Sequence, residues 1–179
     1  MRGVPAEEFS AWYRTLWPPV LRAVTVTVGD RDLAEEAVAE AFARALARWP
    51  AATEFDSPVA WLHRVAVNEV RSRWRRNRLE RRVLQRVVPE AHVDPVEPPD
   101  DALWAAAAAL PDRARQMIAL RYVLDLPEAD VAAALGVTRG TVASTLSKAR
   151  QQLGAVLART RPDLAAGLSG EKPHREEAT

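Results

Sequence analysis

The chain of 179 residues contains no cysteine, which excludes disulfides, a thiol nucleophile and any zinc site built on thiolates. Its three histidines, His63, His92 and His174, are scattered and show no metal-ligand spacing. No apolar run approaches the roughly 20 residues that span a bilayer, and the N-terminus lacks the apolar stretch of a signal peptide. These absences predict a cytoplasmic protein with no cofactor and no membrane insertion.

Glycine is also scarce, with seven residues, whereas alanine and leucine are abundant, and this composition favours helix over sheet. Hydrophobic residues make up 48% and charged residues 27% of the chain, so it can bury a core and stay soluble. The length fits one ordinary domain or two small ones. We therefore predict an all-α fold.

The net charge of +1 is an average over two opposed segments. Residues 61–86 carry nine arginines against two acids, whereas residues 87–101 carry five acids and no lysine or arginine. Four prolines in the second segment forbid helix, and its like charges repel one another. The pattern predicts a cationic surface followed by an extended anionic linker.

Apolar spacings of three, four and seven predict an amphipathic helix over residues 32–49, capped by Asp30 or Asp32 and ended by Pro50. Its buried positions would be Leu33, Val38, Ala41, Phe42, Ala45, Leu46 and Trp49. The opposite face is acidic. The attractive pair Glu40–Arg44 and the repulsive pair Arg44–Arg48, each four residues apart, partly offset one another, so local ion pairs stabilise the helix little. This face is either simply solvated or docks on a protein with a basic surface.

After a loop over residues 51–57, Ser57-Pro58 begins a second helix that runs into an arginine cluster at residues 71–78. By itself, the cluster fits a solvated helix end as well as a nucleic-acid site. Trp61 has the spacing of a core residue. Trp74 is flanked by arginines, and its position fits stacking on an unpaired base as well as it fits an ordinary structural role.

Beyond an alanine-rich helix and a break at Pro111, residues 128–142 have the pattern of a helix-turn-helix. Ala132 is small enough for the helix crossing, Gly136 suits a turn with positive φ, and Thr138 suits an N-cap. The second helix, predicted over 139–152, would expose hydrogen-bond donors for phosphates and base edges: Arg139, Thr141, Ser144, Thr145, Lys148 and Arg150. An ordinary helical hairpin is the alternative. If residues 128–142 form a DNA-binding helix-turn-helix, the arginine cluster at residues 71–78 is also better explained as a nucleic-acid site than as a solvated helix end.

Together these segments resemble the extracytoplasmic-function sigma factors of the sigma-70 family, and are similar to its SigE-like actinobacterial members. The resemblance is carried by three motifs in the family's order, Gly29–Phe42, Trp61–Asn68 with its arginine run, and Leu110–Tyr122 with the helix-turn-helix. It implies two small helical domains joined by a flexible acidic linker. We expect region 2 at 5–86, the linker at 87–101, region 4 at 102–158 and a disordered tail at 159–179.

The resemblance also implies roles for particular residues. The polymerase-binding residues, which would face the clamp of the largest subunit of core RNA polymerase or support the surface that does, would be Asp32, Glu35, Glu36, Glu40 and Phe42. The −10 promoter element would be read and melted by Arg64, Asn68, Arg71, Arg73, Trp74, Arg75 and Arg76. The exposed donors of the helix-turn-helix would read the −35 element, and the loop 51–57 would hold a flipped base. An anti-sigma factor is a further partner that the family implies.

Two other functions fit only part of the sequence. A helix-turn-helix regulator that acts without polymerase would leave the arginine cluster and acidic linker without a purpose. An enzyme would have only Glu35, Glu36 and His63 for acid–base work, in no paired constellation. The chain also departs from the family, with Ala143 and Thr145 at recognition-helix positions that are often basic, so −35 contacts would be weak.

Overall fold

The computed structural model describes residues 6–49, 51–84 and 106–160 of the chain, and every element with assigned bounds in these ranges is helical. The elements are α1 (Ala6–Val28), α2 (Arg31–Leu46), a 3-10 turn (Ala51–Thr53), α3 (Pro58–Leu84), α4 (Asp112–Ile118) continued by a π-helical turn (Ala119–Val123), α5 (Glu128–Leu135) and α6 (Arg139–Thr160). The all-α prediction is confirmed. The predicted linker lies outside the described residues, as does the predicted tail beyond residue 160.

Helix α2 begins where its cap was predicted but ends early. The carboxylate of Asp30 accepts a hydrogen bond from the Leu33 amide at 2.9 Å, as an N-cap should. The predicted end at Trp49 is wrong, because α2 closes at Leu46 and tighter i to i+3 bonds follow it. These bonds bring the chain to Pro50, which has no amide proton and cannot continue the helix. Leu46, predicted to be buried, is 42% exposed.

The core of the first domain lies between α1, α2 and α3, and one end of it is aromatic. Phe42 lies at the centre of that end, with its ring centroid 4.8 Å from Tyr13 and 5.4 Å from Trp12. Trp49 also packs edge-on against Trp12, at 5.4 Å, although it lies beyond the end of α2. Aromatic edge-to-face pairs add to the stabilisation from buried area.

His63 is the buried histidine of this core, with 1% of its surface exposed. Its Nε2 lies 2.9 Å from the hydroxyl of Thr27, which itself donates to the Ala23 carbonyl at 2.9 Å. Because the hydroxyl proton is already used, the ring must donate its Nε2–H to Thr27. Burial, and next the charge of Arg71, lowers the pKa of His63 from 6.5 to about 4.

We expect acid to destabilise the protein through His63. The unfolded chain takes up this proton near pH 6.5 and the folded chain only near pH 4, so the contribution is complete above pH 6.5 and lost toward pH 4. Urea unfolding should show a loss of about 2 kcal/mol between about pH 7 and pH 5. His63→Gln, which cannot titrate, should be flat over the same range. An equal loss in both proteins would assign the effect to another group.

The second domain packs α4 and α5 against a long α6. The predicted end of α6 at Gln152 is wrong, since the helix continues to Thr160. Its inward positions Leu146, Ala149, Leu153 and Leu157 are spaced three or four apart and are all buried. Packing of this apolar stripe on α4 and the residues before it holds the extra two turns in helical form.

The two domains touch each other. Ala60, near the start of α3, is 6% exposed because it joins the core cluster of the second domain beside Leu120 and Val131. In return, Leu124 of the second domain packs against the core of the first. The beginning of α3, at Ala60, therefore faces the second domain, and the predicted nucleic-acid residues follow it from Arg64 onward.

Candidate nucleic-acid and partner interfaces

The predicted acidic face of α2 is present and open to solvent. Asp32, Glu35 and Glu36 are exposed and Glu40 is partly exposed, while Ala34 and Ala37 between them are buried in the core. Phe42 differs from the others, because it is only 2% exposed. Of the two roles that the resemblance implies for Phe42, facing the clamp or supporting the surface that does, its burial favours the second.

The arginine-rich part of α3 presents a polar stripe. Arg64, Asn68, Arg71 and Arg75 are spaced four, three and four residues apart, so they share one side of the helix. Arg71 is partly buried and the other three are exposed. Trp74 lies beside this stripe with 43% of its surface exposed, which is unusual for so large an apolar ring. A cationic stripe with an exposed indole is suited to a nucleic-acid strand.

Glu69, which lies outside every residue set predicted from the sequence, joins α3 to α2. One of its oxygens accepts from Arg44 of α2 at 2.7 Å, and the other accepts from Arg73 at 3.3 Å. Arg44 also pairs with Glu40 at 2.9 Å, and Arg73 pairs with Glu36. The spacing of four between Glu69 and Arg73 is the one signal that the sequence offers for this network. The contacts to α2 are long-range, since Arg44 is 25 residues from Glu69 and Glu36 is 37 residues from Arg73.

Electrostatics keep Glu69 ionised despite its position. Its side chain is only 13% exposed, and burial alone would raise its pKa. The hydrogen bonds from Arg44 and Arg73, with the charges of the same two residues, outweigh burial and hold the pKa of this carboxyl below its ordinary value. The predicted polymerase face and the predicted DNA face therefore share one network of ion pairs.

Trp61 lines a groove between the two domains. Its ring packs on Phe55 at 5.0 Å, and the Arg48 guanidinium lies 5.9 Å from its centroid. The groove has a volume of about 390 Å³, with Trp61, Arg64 and the loop after the 3-10 turn on one side and Asp130 of α5 on the other. Trp61 is thus partly buried against Phe55 and also lines the groove. Its helical spacing in the sequence predicted only the packing role.

The helix-turn-helix has the geometry that its sequence predicted. Gly136 adopts φ +62° after α5, and the Val137 amide donates back to the Ala132 carbonyl at 3.0 Å, which closes the turn. The Thr138 hydroxyl accepts from the Thr141 amide at 3.2 Å and caps α6. Arg113 of α4 adds a contact that the sequence did not predict, donating to the Leu135 carbonyl at 2.5 Å.

The predicted reading residues of α6 divide into two groups. Arg139, Thr141, Ser144 and Lys148 are exposed, whereas Thr145 and Arg150 are partly buried. Arg139 lies 3.8 Å from a carboxylate oxygen of Glu128 on α5. The open part of the helix carries few cations, which limits its attraction to phosphates.

Comparison with known proteins shows where this architecture occurs. The family model for Sigma-70 region 2 matches residues 9–80, and that for Sigma-70, region 4 matches residues 100–153. The RNA polymerase sigma-E factor of Streptomyces coelicolor is 32% identical over 143 residues, which cover 75% of this chain and 77% of the relative. The chain belongs to the sigma-70 family.

Other relatives agree with this assignment. The RNA polymerase sigma-E factor of Streptomyces antibioticus is 33% identical over 137 residues, covering 75% of this chain and 76% of the relative. The sigma factor RpoE of Bartonella quintana, solved in complex with the anti-sigma factor NepR, superposes with a TM-score of 0.68. That match covers 87% of this chain and 100% of the other at 23% identity, and it shows the shared fold.

The chain is therefore an extracytoplasmic-function RNA polymerase sigma factor, and sigma factors are transcription initiation factors. A regulator acting without polymerase is not favoured, since regions 2 and 4 both match in the family's order. In the described part of the chain, no helix is long and apolar enough to cross a membrane. The same residues contain no cluster of three or more side chains that could hold a metal ion.

Proposed function

We propose that this sigma factor uses three surfaces in transcription initiation. Its first domain, within 5–86, docks on core polymerase and reads the −10 element, and its second, within 102–158, reads the −35 element. The segment 87–101 connects them. The observation that carries the proposal is that one small domain holds both an open acidic face, on α2, and an arginine stripe, on α3.

The acidic face of α2 is the proposed docking surface for the polymerase clamp. Asp32, Glu35 and Glu36 project from a helix whose other side is anchored in the core, so the charges are presented on a rigid support. Charge complementarity with a basic partner would speed association and set the orientation of the complex. DNA would be repelled from the same surface.

The arginine stripe is the proposed site of the −10 element. Arg64, Arg71 and Arg75 would contact successive phosphates, and Asn68 is placed to meet a base edge on the same side of the helix. Trp74 would stack on an unpaired base, which favours the melted over the paired strand. Helix α3 would therefore both bind the phosphates of the strand and hold an unpaired base.

The groove beside Trp61 is the proposed place for a flipped base. The loop that follows the 3-10 turn forms one wall, and α5 of the second domain forms the other. A strand that lies along Arg64 would meet α5, so we expect the domains to move apart on promoter DNA. Polymerase, by holding each domain separately, would make that separation possible.

Helix α6 is the proposed −35 reader. Its N-terminal residues Arg139, Thr141 and Ser144 are exposed, as in other major-groove recognition helices. Because few cations accompany them, we expect weak binding by this domain alone and dependence on polymerase for placement. We also propose that the protein acts in the cytoplasm, where RNA polymerase acts. An anti-sigma partner is supported by the complex in which its structural neighbour was solved.

In vitro transcription with core polymerase over a fragmented genome tests the proposal. Mapped start sites should share a −10 and a −35 element, and no such set should appear without the protein. Start sites that are unchanged by its addition would contradict the proposed function. The shared elements would also identify the promoter sequence that this protein reads.

Charge reversal on α2 tests the docking surface. We expect Asp32→Lys with Glu35→Lys to weaken binding to core polymerase by about tenfold or more, because four units of charge are changed at a complementary surface. Both residues are exposed and lie outside the ion pairs described for α2. Glu7→Lys with Glu8→Lys, on the exposed first turn of α1, makes the same charge change elsewhere. Equal affinities for the two variants would rule out this face.

A further inference from the structure

Two arginines of the cluster on α3 are occupied within the protein. Arg73 is 30% exposed, and it donates from Nε to Glu69 at 3.3 Å and from Nη1 to Glu36. Arg76 lies 3.6 Å from the same oxygen of Glu69. Arg73 is thus paired with two carboxylates, whereas Arg76, with 65% of its side chain exposed, only lies near one of them.

The carboxylates compete with phosphate for the same donors. A guanidinium binds carboxylate and phosphate oxygens through the same planar fork. The two acids differ in how firmly they are held. Glu69 is 13% exposed and bonded to arginines of two helices, whereas Glu36 is 63% exposed and makes one described contact, with Arg73. Glu36 is therefore the carboxylate that can exchange with an incoming anion.

We propose that Glu36 is an intramolecular counter-ion that shields Arg73 and holds down binding of nucleic acid of any sequence by the free protein. This rests on the proposed function only in that the arginine cluster of α3 binds nucleic acid. It gives Glu36 a second task, separate from docking on polymerase. Glu69 keeps Arg73 in place whether or not Glu36 is engaged.

Removal of Glu36 should free the Nη1 donor of Arg73 for one phosphate. For single strands, each phosphate contact steepens the dependence of log K on log salt by about 0.7. We expect Glu36→Gln to show this steeper slope and a gain in affinity of up to about fivefold at low salt, the modest size reflecting an exposed ion pair. The gain should fade as salt rises.

The experiment uses the full chain without polymerase and a fluorescent single-stranded oligonucleotide of arbitrary sequence. Anisotropy titrations from about 50 to about 200 mM salt cover the range where phosphate contacts are lost. Glu35→Gln is the matched control, since it removes the same charge from the next residue of α2 and breaks no described arginine contact. A slope and affinity equal to the control would overturn the proposal, as would no measurable binding by Glu36→Gln at the lowest salt.

Arg73→Ala in both backgrounds completes the test. The advantage of Glu36→Gln over Glu35→Gln should disappear without Arg73, and an advantage that persists would also overturn the proposal. Thermal unfolding of each variant checks that all are folded. The mapped start sites test the proposed function, and the oligonucleotide titrations test the role of Glu36. Either result can be negative while the other is positive, so the two proposals fail separately.

Discussion

Promoter-directed run-off transcription should fall by at least about 100-fold when Arg64, Arg71 and Arg75 are changed together to alanine. These three residues share one side of α3 and lie outside the ion-pair network around Glu69. Their loss therefore removes phosphate contacts without loosening α2 from α3. Hydrogen bonds to charged groups are worth about 1.5 to 3 kcal/mol each, so the loss of two or three of them exceeds the roughly 2.8 kcal/mol of a 100-fold decrease.

Two measurements separate this effect from a general loss of function. Co-purification with core polymerase should persist, because the acidic face of α2 is untouched. The salt dependence of strand binding should become shallower by about 2, the sum of three single-strand contacts. Arg14→Ala, Arg22→Ala and Arg159→Ala remove the same charge from exposed positions elsewhere. If the α3 variant still supports transcription, the arginine stripe is solvated and does not bind the promoter.

Phe42→Ala should produce the largest loss of stability, about 3 to 5 kcal/mol. The ring is 2% exposed and lies within 4.8 to 5.6 Å of the rings of Tyr13, Trp12 and Trp17. Its removal leaves a cavity between α1 and α2 and breaks three aromatic contacts. Since domains are stable by only about 5 to 15 kcal/mol, much of the stability would be lost. Urea unfolding followed by tryptophan fluorescence measures it.

Phe42→Leu separates the core role of Phe42 from a direct contact with polymerase. Leucine keeps most of the buried apolar volume, so the variant should fold and bind core polymerase as the parent does. Loss of binding by a stable Phe42→Leu protein would restore a direct contact. A loss of less than about 1 kcal/mol for Phe42→Ala would show that the aromatic end of the core repacks without it.

Local patterns predicted the elements whose stabilising groups are close in sequence. The cap at Asp30, the start at Pro58, the turn at Gly136 and the cap at Thr138 depend on contacts within a few residues, and all were found. The charge segregation and three ordered motifs were likewise sufficient to suggest the family. These features depend on composition and short-range spacing, which the sequence displays directly.

Local rules failed where packing outweighs propensity. Helix α1 continues through Pro18 and Pro19, although a proline inside a helix removes a hydrogen bond and clashes with the preceding turn. Residues Val20 and Val24, just beyond them, are fully buried, so burial of this face offsets the local cost. The additional turns of α6 have the same cause.

The sequence by itself determined the helical class, the capped helix ends, the helix-turn-helix and the residues that carry opposite charge. Only the tertiary structure decided how those charges meet. Glu69 bonds to Arg44 of another helix, Phe42 turns inward, and Trp61 faces a groove whose far wall is Asp130. Such relations join residues far apart in the chain, and they exist only once buried faces have packed and set the helices side by side.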